Sequence, residues 1–553
     1  MNHSVGTQVL IVGAGPVGLT LAMDLASRGI EVLIIETRER LEPPSVKCNH
    51  VSARSMEIFR RLGVANRIRA AGLPGDYPHD VSYRTTTTGI ELTRIPIPSR
   101  NDRPTAMDGP DTWWPTAEPP HRINQIFLEP ILFEYAESMP GITIINRSEV
   151  VGFDQDDDGV TVHIVNHRNG ETQSARCEFL IGCDGGRSLV RKNIGAKFIG
   201  DAVIQRVQST YIRAPQLLSL LTVPPSWAMF SMNPRRSGNV YSIDGRETWL
   251  VHNYLRDDEP DFDSVDRDHS IREILGVGAD FQYEEISKED WFGRRLVADK
   301  LREGRVFICG DAAHLWVPYA GYGMNAGIAD AANLAWLMSA HLAGWAPIEI
   351  LDTHFAERHP ITEQVSRFAM NHAHELAKSR KAVPDDIEAQ GPEGENLRRQ
   401  VGEKAYALNV QQYCCGGLNF GYFYDHSPII SYDGEPAPDY SMADFTPSTV
   451  PGCRVPYFAL GDGTPLYDRL GPDFSLLRFN RSVPVDRLLE AAQSRGIPMV
   501  LIDLDTEEVP SCYREKLVIA RPDQHVGWRG NKEPEDPDAL IGKLTGAFLN
   551  APS

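Results

Sequence analysis

The sequence predicts an α/β protein built on a doubly wound parallel sheet, with a β-rich second region and a small α/β unit at its C-terminus. Three observations carry that expectation. Residues 8–36 read as strand, glycine turn, helix and strand. Residues 198–291 are mostly of β type, and beyond Gly452 strand and helix patterns resume after a loop-rich stretch.

The first unit is the most legible. Residues 8–12 (QVLIV) are a short apolar run rich in β-branched side chains, and Gly13-Ala14-Gly15-Pro16-Val17-Gly18 follows at once. A helix is expected over 16–27, with Leu19, Ala22, Met23 and Ala26 on one face, ended by Arg28-Gly29. Residues 31–35 (EVLII) form a second strand that stops at Glu36, which completes a βαβ unit of a doubly wound sheet.

Residues 74–118 change to turns and short extended pieces rich in Pro, Thr and Gly. A helix is expected over 125–138, then strands near 142–145, 150–153, 159–165 and 179–181, the last running into Gly182-Cys183-Asp184-Gly185-Gly186-Arg187-Ser188. Within the β-rich region, 238–243 and 248–254 are the clearest strands. Residues 305–309 (RVFIC) form a buried-type strand that ends in Gly310-Asp311, and a long helix is expected from near Met324 through Leu337. Helices follow Pro347 to about Ser379, and the Pro/Gly/Glu-rich stretch 384–395 reads as an exposed loop. The C-terminal unit shows strands at 475–479 and 499–503, a helix at 485–495 and a final strand near 516–520. An acidic turn at 533–538 then precedes a closing helix. No internal repeat or low-complexity tract stands out.

Composition narrows the function classes. At 553 residues the chain has room for about three domains. Hydrophobic residues at 42 % and charged residues at 24 % are the balance of a soluble globular protein. Lys and Arg total 55 against 75 Asp and Glu, a formal net charge of −20, which argues against nucleic acid or an anionic membrane as the main partner. Eight cysteines without a C-x-x-C suggest reduced thiols, no metal site and a cytoplasmic location. No apolar run approaches the ~18 residues that a membrane span requires, and residues 1–8 are too short and polar for a signal peptide.

The glycine turn has a chemical purpose. Gly13 permits the tight turn, Gly15 lets the backbone approach a pyrophosphate, and Gly18 lets the helix pack close to the sheet. The helix N-terminus offers free N–H groups and a positive dipole end to the phosphates. Glu36, at the end of the second strand, is placed to accept the hydroxyls of an adenosine ribose. The expected contacts are Gly13, Gly15, Pro16, Val17, Gly18, Glu36 and Thr37. This unit alone leaves NAD and FAD open.

Later segments discriminate. Gly310-Asp311-Ala312-Ala313-His314, followed by Pro318, Gly321, Gly323, Met324 and Asn325 and then Asp330, Asn333, Leu334 and Trp336, resembles the second flavin motif of the FAD-dependent aromatic hydroxylases, the single-component flavoprotein monooxygenases. Asp184-Gly185 with Ser188 and Arg191 resembles their Asp-Gly motif, and Gln125 with Leu128 and Glu129 their Q-x-x-L-E helix. The last hundred residues resemble the thioredoxin-like domain of the phenol-hydroxylase-like branch, through residues 517–523 and Trp528-Arg529.

The resemblance implies a fold and its division. A discontinuous FAD-binding domain of the glutathione-reductase/p-hydroxybenzoate-hydroxylase type would comprise residues 1–75, 115–190 and 292–345. A β-rich substrate domain would comprise 76–114 and 191–291, followed by a helical segment and linker over 346–450. A thioredoxin-like domain without C-x-x-C would occupy 451–553, structural in role and supporting a homodimer. Asp311 would hold the ribityl chain. Gly321, Gly323, Met324 and Asn325 would lie against the isoalloxazine ring, Gly310 and Pro318 would be further cofactor contacts, and Gln125 and Arg122 would contact the ribityl and phosphate region. Asp184 and Gly185 would steady the pyrophosphate loop. Lys47, where the family usually has Arg, and Arg54 complete the implied cofactor contacts. For His314 both a functional and a loop-anchoring role stay open.

The implied reaction is hydroxylation of a phenolic or related aromatic compound by molecular oxygen through a flavin C4a-hydroperoxide. NADH or NADPH would bind transiently, since there is no second glycine unit. In phenol hydroxylases of this family an Asp deprotonates the substrate from a place occupied here by Asn49. Asn cannot act as a base, so either His50 or another group takes that role or the substrate binds already ionised; the candidate catalytic residues are Asn49, its neighbour His50, and Tyr319 in the bulky loop 316–320 with Trp316, and Tyr211 is a further pocket candidate. Another oxygen insertion on the same fold, of Baeyer–Villiger or polyketide-ring type, and a flavin-binding protein without turnover are the alternatives.

Overall fold

The computed structural model describes residues 5–319, 321–504 and 509–549; Ala320 of the bulky loop and residues 1–4 lie outside them. The first sheet places the parallel strands in the order Val306–Ile308, Thr172–Gly182, Val5–Val12, Val32–Ile35 and Ile142–Ile145. A short strand, Arg302–Glu303, closes one edge, and the hairpin Ser148–Gln155/Val160–Asn166 extends antiparallel from Thr172–Gly182. Register brings three carboxyl ends together: Val12 pairs with Gly182, and Gly182 with Ile308. Gly13, Cys183 and Cys309 therefore leave the sheet side by side, at the edge where ligands of open α/β sheets bind. Helices Pro16–Ser27 and Tyr322–Leu342 cover this sheet, burying Leu19, Ala22 and Leu25 against Ile328, Leu334 and Trp336 in one apolar core.

The second sheet has eight strands, ordered His314–Leu315, Glu284–Ala298, Phe198–Arg213, Thr248–Tyr254, Gly238–Ser242, Ala228–Ser231, Val81–Arg84 and Glu91–Ile95. Its first strand follows directly on Gly310-Asp311, so the second flavin-type motif is joined covalently and by hydrogen bonds to the β-rich region. Glu284–Ala298 runs unbroken across the 291/292 division expected from sequence, because its pairing with Phe198–Arg213 continues over nearly its whole length.

Three local expectations need correction. The β-rich region contains a helix, Arg267–Leu275, capped by Asp266 accepting the His269 N–H at 3.0 Å and closed by Gly276 at φ 75°. Its Ile271, Ile274 and Leu275 supply the buried face at helical spacing. The exposed loop expected to run to Glu395 ends earlier. Pro392 is the first residue of a helix, Pro392–Tyr413, and proline is well tolerated there because that N–H has no intrahelical acceptor. Finally, 516–520 is not the last strand: Leu517–Ala520 turns back through residues 521–525 into Val526–Gly530.

The C-terminal unit is a four-stranded sheet ordered Met499–Asp503, Phe474–Arg478, Leu517–Ala520 and Val526–Gly530, with helices Asp486–Ser494 and Pro537–Leu544 on its apolar face. All eight cysteines are free thiols. Among the described residues no helix is long and apolar enough to cross a membrane, and no group of His, Cys, Asp or Glu could hold a metal ion.

Candidate active site

The glycine cradle is closed to side chains where packing is tight and open where a ligand would come. Gly13 has φ 103°, and a Cβ there would meet the Cys183 carbonyl oxygen at 2.6 Å. A Cβ on Gly18 would lie 2.1 Å from the Gly13 carbonyl oxygen, whereas one on Gly15 would meet nothing within 4 Å. Gly310, at φ 62°, packs against Val17 in the same manner. Gly15 is the N-cap of helix Pro16–Ser27 and no side chain caps that end, so its first-turn N–H groups are left for an anion.

Glu36 is buried and accepts the Ala14 N–H at 2.7 Å and the Arg38 N–H at 2.9 Å; the Thr37 hydroxyl donates to it at 3.2 Å. Burial opposes its charge, but the Arg38 guanidinium and the two backbone donors prevail and hold its carboxyl below the usual range. Asp184 caps the next segment, its Oδ2 accepting from Leu189 N at 2.7 Å and Val190 N at 3.2 Å, while its buried Oδ1 has no partner.

From this cradle a cavity of about 520 Å³ runs into the second sheet. Its cradle end is lined by Gly15, Pro16, Val17, Gln125 and Gly185, then by Asp311, Pro318, Gly321, Gly323 and Met324. Asp311 is enclosed by protein yet open to the cavity interior. That confinement raises its carboxyl above the usual range, with His314 and Lys47 pulling the other way. Gly321, at φ 64°, starts helix Tyr322–Leu342 without a side-chain cap, a second helix N-terminus aimed at the cavity. Asn325 is not a lining residue but a clamp. Its Nδ2 donates to the carbonyls of Gly321 (2.7 Å) and His50 (3.0 Å), and its Oδ1 accepts from Ser52 N (2.8 Å). His314 lines the cavity, stacks on Trp316 at 4.8 Å, and is anchored behind by Asp330 at 2.6 Å, which Arg358 also contacts at 2.7 Å.

The remaining sequence candidates separate. Asn49 and His50 line the cavity; the side-chain Oδ1 of Asn49 accepts a hydrogen bond from Asn124 Nδ2. His50 Nδ1 accepts from Arg122 at 2.5 Å. Burial, with Arg122 adding to it, holds the imidazolium well below its usual range, so His50 is a neutral ring and not a ready base. Arg122 therefore sits behind His50 rather than on the phosphate side, over the Trp227 ring at 4.4 Å.

Tyr319 turns away from the cavity into an apolar cluster beside Phe368 and His372, because its neighbours in the loop, Trp316 and Pro318, take the cavity side. Tyr211 does not line the cavity either. Arg54 is committed elsewhere, donating to Glu57 (2.9 Å), to the Asp523 carbonyl (2.7 Å) and to Gln524, since its helix faces the C-terminal unit. Lys47 lies at the cavity mouth, ion-paired with Glu289 at 2.9 Å.

Sequence reasoning missed the outer wall. Trp227, Tyr241, His252, Trp291 and Tyr413 form a chain of ring contacts between 5.4 and 6.1 Å. Ser209, His252 and Glu289 are opposite one another on adjacent strands, as are Tyr241 and Leu250. The available signal was polar and aromatic residues on the cavity face of the strands (His252 two residues after Leu250, Trp291 two after Glu289), where a purely structural core face would carry aliphatics alone. Burial lowers His252 to about 4, so the chain of rings carries no imidazolium around pH 7.

Glycines that admit no Cβ, two uncapped helix N-termini, a buried carboxylate beside the first turn and the orphaned Asp184 oxygen fit FAD lying along the three strand ends. Fold and cleft together define a flavin-nucleotide-binding α/β protein. The sequence family described as "FAD binding domain" matches residues 6–369. A putative polyketide hydroxylase of Streptomyces halstedii is 32 % identical over 95 % of this chain and 93 % of its own length. The phenol 2-monooxygenase of Pseudomonas sp. (strain EST1001) is 29 % identical, over 99 % and 94 %. The solved structure of the rebeccamycin biosynthetic enzyme RebC with reduced flavin aligns with a TM-score of 0.87 at 32 % identity, covering 98 % of this chain and 100 % of that one. The chain belongs to this FAD-binding family and is a flavoprotein monooxygenase of the aromatic-hydroxylase type.

Proposed function

We propose that the protein is an FAD-dependent, NAD(P)H-using monooxygenase that hydroxylates a phenolic or related aromatic compound with molecular oxygen. The observation that carries this reading is one continuous cavity, which joins the glycine cradle at the strand ends to a wall of Trp227, Tyr241, His252, Trp291 and Tyr413. The names of the polyketide-hydroxylase and phenol-monooxygenase relatives support the same substrate chemistry.

When bound, FAD would relay electrons from NAD(P)H to molecular oxygen and activate that oxygen for transfer to the substrate. The first-turn N–H groups of helix Pro16–Ser27 would bind the pyrophosphate, Glu36 the adenosine ribose and Asp311 the ribityl chain. The N-terminus of helix Tyr322–Leu342 would stabilise negative charge on the ring. The aromatic wall would keep water from the reacting centre and present a flat substrate face-on. NAD(P)H would visit transiently.

The test is anaerobic reduction of the purified protein by NADH and by NADPH across a panel of phenols, followed by admission of oxygen and mass analysis. A bound flavin, substrate-accelerated reduction and a product one oxygen heavier with its rings intact are expected. Protein that refuses FAD overturns the reading. A ring-expanded or ring-opened product replaces it with another oxygen insertion.

A further inference from the structure

Two thiols stand side by side under the glycine cradle. Cys183 and Cys309 follow the last paired residues of neighbouring parallel strands, Gly182 and Ile308, and the Cys309 N–H donates to the Gly182 carbonyl at 3.0 Å. Adjacent strands run about 4.7–4.9 Å apart, inside the roughly 4.4–6.8 Å between Cα atoms that a disulfide spans. Both side chains belong to the face packed against helices Pro16–Ser27 and Tyr322–Leu342, and both line the cavity.

The two thiols differ in access. Cys183 is half-buried, whereas Cys309 is 1 % exposed. A hydrogen bond with Cys183, and burial after it, push the Cys309 thiol well above its usual range, so it stays protonated. An accessible thiol with a second one in reach is the pairing of an attacking and a resolving cysteine. Cys48, a further thiol on the cavity, is engaged otherwise: it donates to the His50 and Gly321 carbonyls, and burial pushes it up to about 11.

The surroundings give the pair a consequence. Cys183 leads into Asp184-Gly185 and Cys309 into Gly310-Asp311, the two segments that flank the cradle. The backbone between them has no slack. A Cβ on Gly13 would lie 2.6 Å from the Cys183 carbonyl oxygen, and one on Gly310 would lie 3.0 Å from the Val17 side chain. Drawing two sulfurs from contact to bonding distance therefore displaces the glycine turn or the segments that follow it, because close-packed interiors transmit strain. A cofactor lying along the strand ends in turn covers both sulfurs.

We propose that Cys183 and Cys309 are a reversible redox switch beneath the cofactor site: hydrogen peroxide joins them as a disulfide when the cradle is empty, and the disulfide and FAD oppose one another. The Cys183 sulfur attacks one peroxide oxygen; an S–O bond forms, the O–O bond breaks and a first water leaves. The Cys309 sulfur then displaces the second water as the S–S bond forms. The thiols give up two electrons and both their protons, and peroxide is reduced to two waters.

The experiment treats the full-length chain with hydrogen peroxide, as holoenzyme and after removal of FAD. Thiols are counted in denaturant, and non-reduced peptides are mapped by mass spectrometry. Flavin-free protein should fall from eight free thiols by two, yield a peptide linked through 183 and 309, and regain both thiols in dithiothreitol, while the holoenzyme is protected. The oxidised chain should bind FAD at least about tenfold more weakly than the reduced chain, and by reciprocity FAD should shift the thiol–disulfide equilibrium in glutathione buffers toward the thiols by the same factor. Cys309→Ser should form no such link and leave Cys183 as a sulfenic acid that dimedone traps. The wild-type peptide map carries the test even where that variant fails to fold.

Absence of the 183–309 peptide from peroxide-treated flavin-free protein, a link between other cysteines in its place, equal oxidation with and without FAD, or unchanged FAD affinity once the link has formed each overturns the inference. None of these readouts involves an aromatic substrate, so failure to hydroxylate any phenol sinks the proposed reaction and leaves the switch standing.

Discussion

Glu36 is the residue whose role is most sharply testable. It is the buried acid beside the first turn of helix Pro16–Ser27, held ionised by Arg38 and by the N–H groups of Arg38 and Ala14 against the cost of burial. Glu36→Gln keeps the shape and removes the charge. At about 1.5–3 kcal/mol for hydrogen bonds to a charged group, FAD affinity should fall roughly ten- to hundredfold, measured by fluorescence titration of apoprotein. The pH dependence has a definite sign. A carboxyl lowered in the folded protein contributes stability that is present above its unfolded value and lost as pH falls through the folded one. Flavin retention should therefore be flat through neutrality and decline only below about pH 4.3. A midpoint near pH 6 would assign the loss to a histidine instead. Lys47 shows the opposite case at this scale: its pair with Glu289 is about half exposed, and such pairs contribute about 0–1 kcal/mol.

At the scale of elements, the glycine turn separates packing from ligand approach. An added Cβ at Gly18 would lie 2.1 Å from the Gly13 carbonyl oxygen, a backbone atom that cannot swing aside. Gly18→Ala must move the helix and should cost about 1–3 kcal/mol of stability along with the flavin. Gly15, at φ −75°, has open space where a Cβ would be. Gly15→Ala should leave the urea midpoint within error of wild type, about 0.5 kcal/mol, yet bind FAD at least tenfold more weakly, because the methyl group occupies the approach path of the pyrophosphate. Equal loss of stability in both variants would mean that the turn is only a packing device.

The same contrast explains what could be foreseen. Strand, glycine turn and helix are written in contiguous residues, so helices 16–27 and 125–138 and the strand ends at Gly13, Cys183 and Cys309 follow from local pattern. The cavity's outer wall does not, because Trp227, His252, Trp291 and Tyr413 meet only through the register of distant strands and a helix that starts at an apparent loop proline. The misplaced candidates fail for the same reason. Which of Trp316 and Tyr319 faces the cavity is decided by packing against Phe368 and His372, and the partners of Arg54 lie near residue 523.

For the whole molecule, the C-terminal unit is keyed to the flavin half by buried charge. Arg521 donates to both oxygens of Glu357, at 2.5 and 2.8 Å, and to Asp523 at 2.8 Å, and neither the Arg521 nor the Glu357 side chain is exposed at all. Glu357 also accepts from Asn333 at 2.7 Å, on the helix that carries Asp330, the anchor of His314. A second lock, Arg454 with Glu57, lies beside Arg54. Desolvating such charges offsets much of their attraction, so the intact pair adds little net stability, whereas one partner left alone is expensive. Arg521→Met should therefore destabilise by about 3–5 kcal/mol, read as a lower urea midpoint. The double variant Arg521→Met, Glu357→Met should recover part of that loss, because Glu357 is no longer stranded and only Asp523 is left without Arg521. It should not recover all of it, since Asn333 and Ser427 lose their acceptor. If the destabilisation reaches the cleft through Asn333, Arg521→Met will also shed FAD more readily at urea concentrations where its far-ultraviolet circular dichroism is still native. A single variant as stable as wild type, or a double variant worse than the sum of the singles, would show that the charges do not join the two parts.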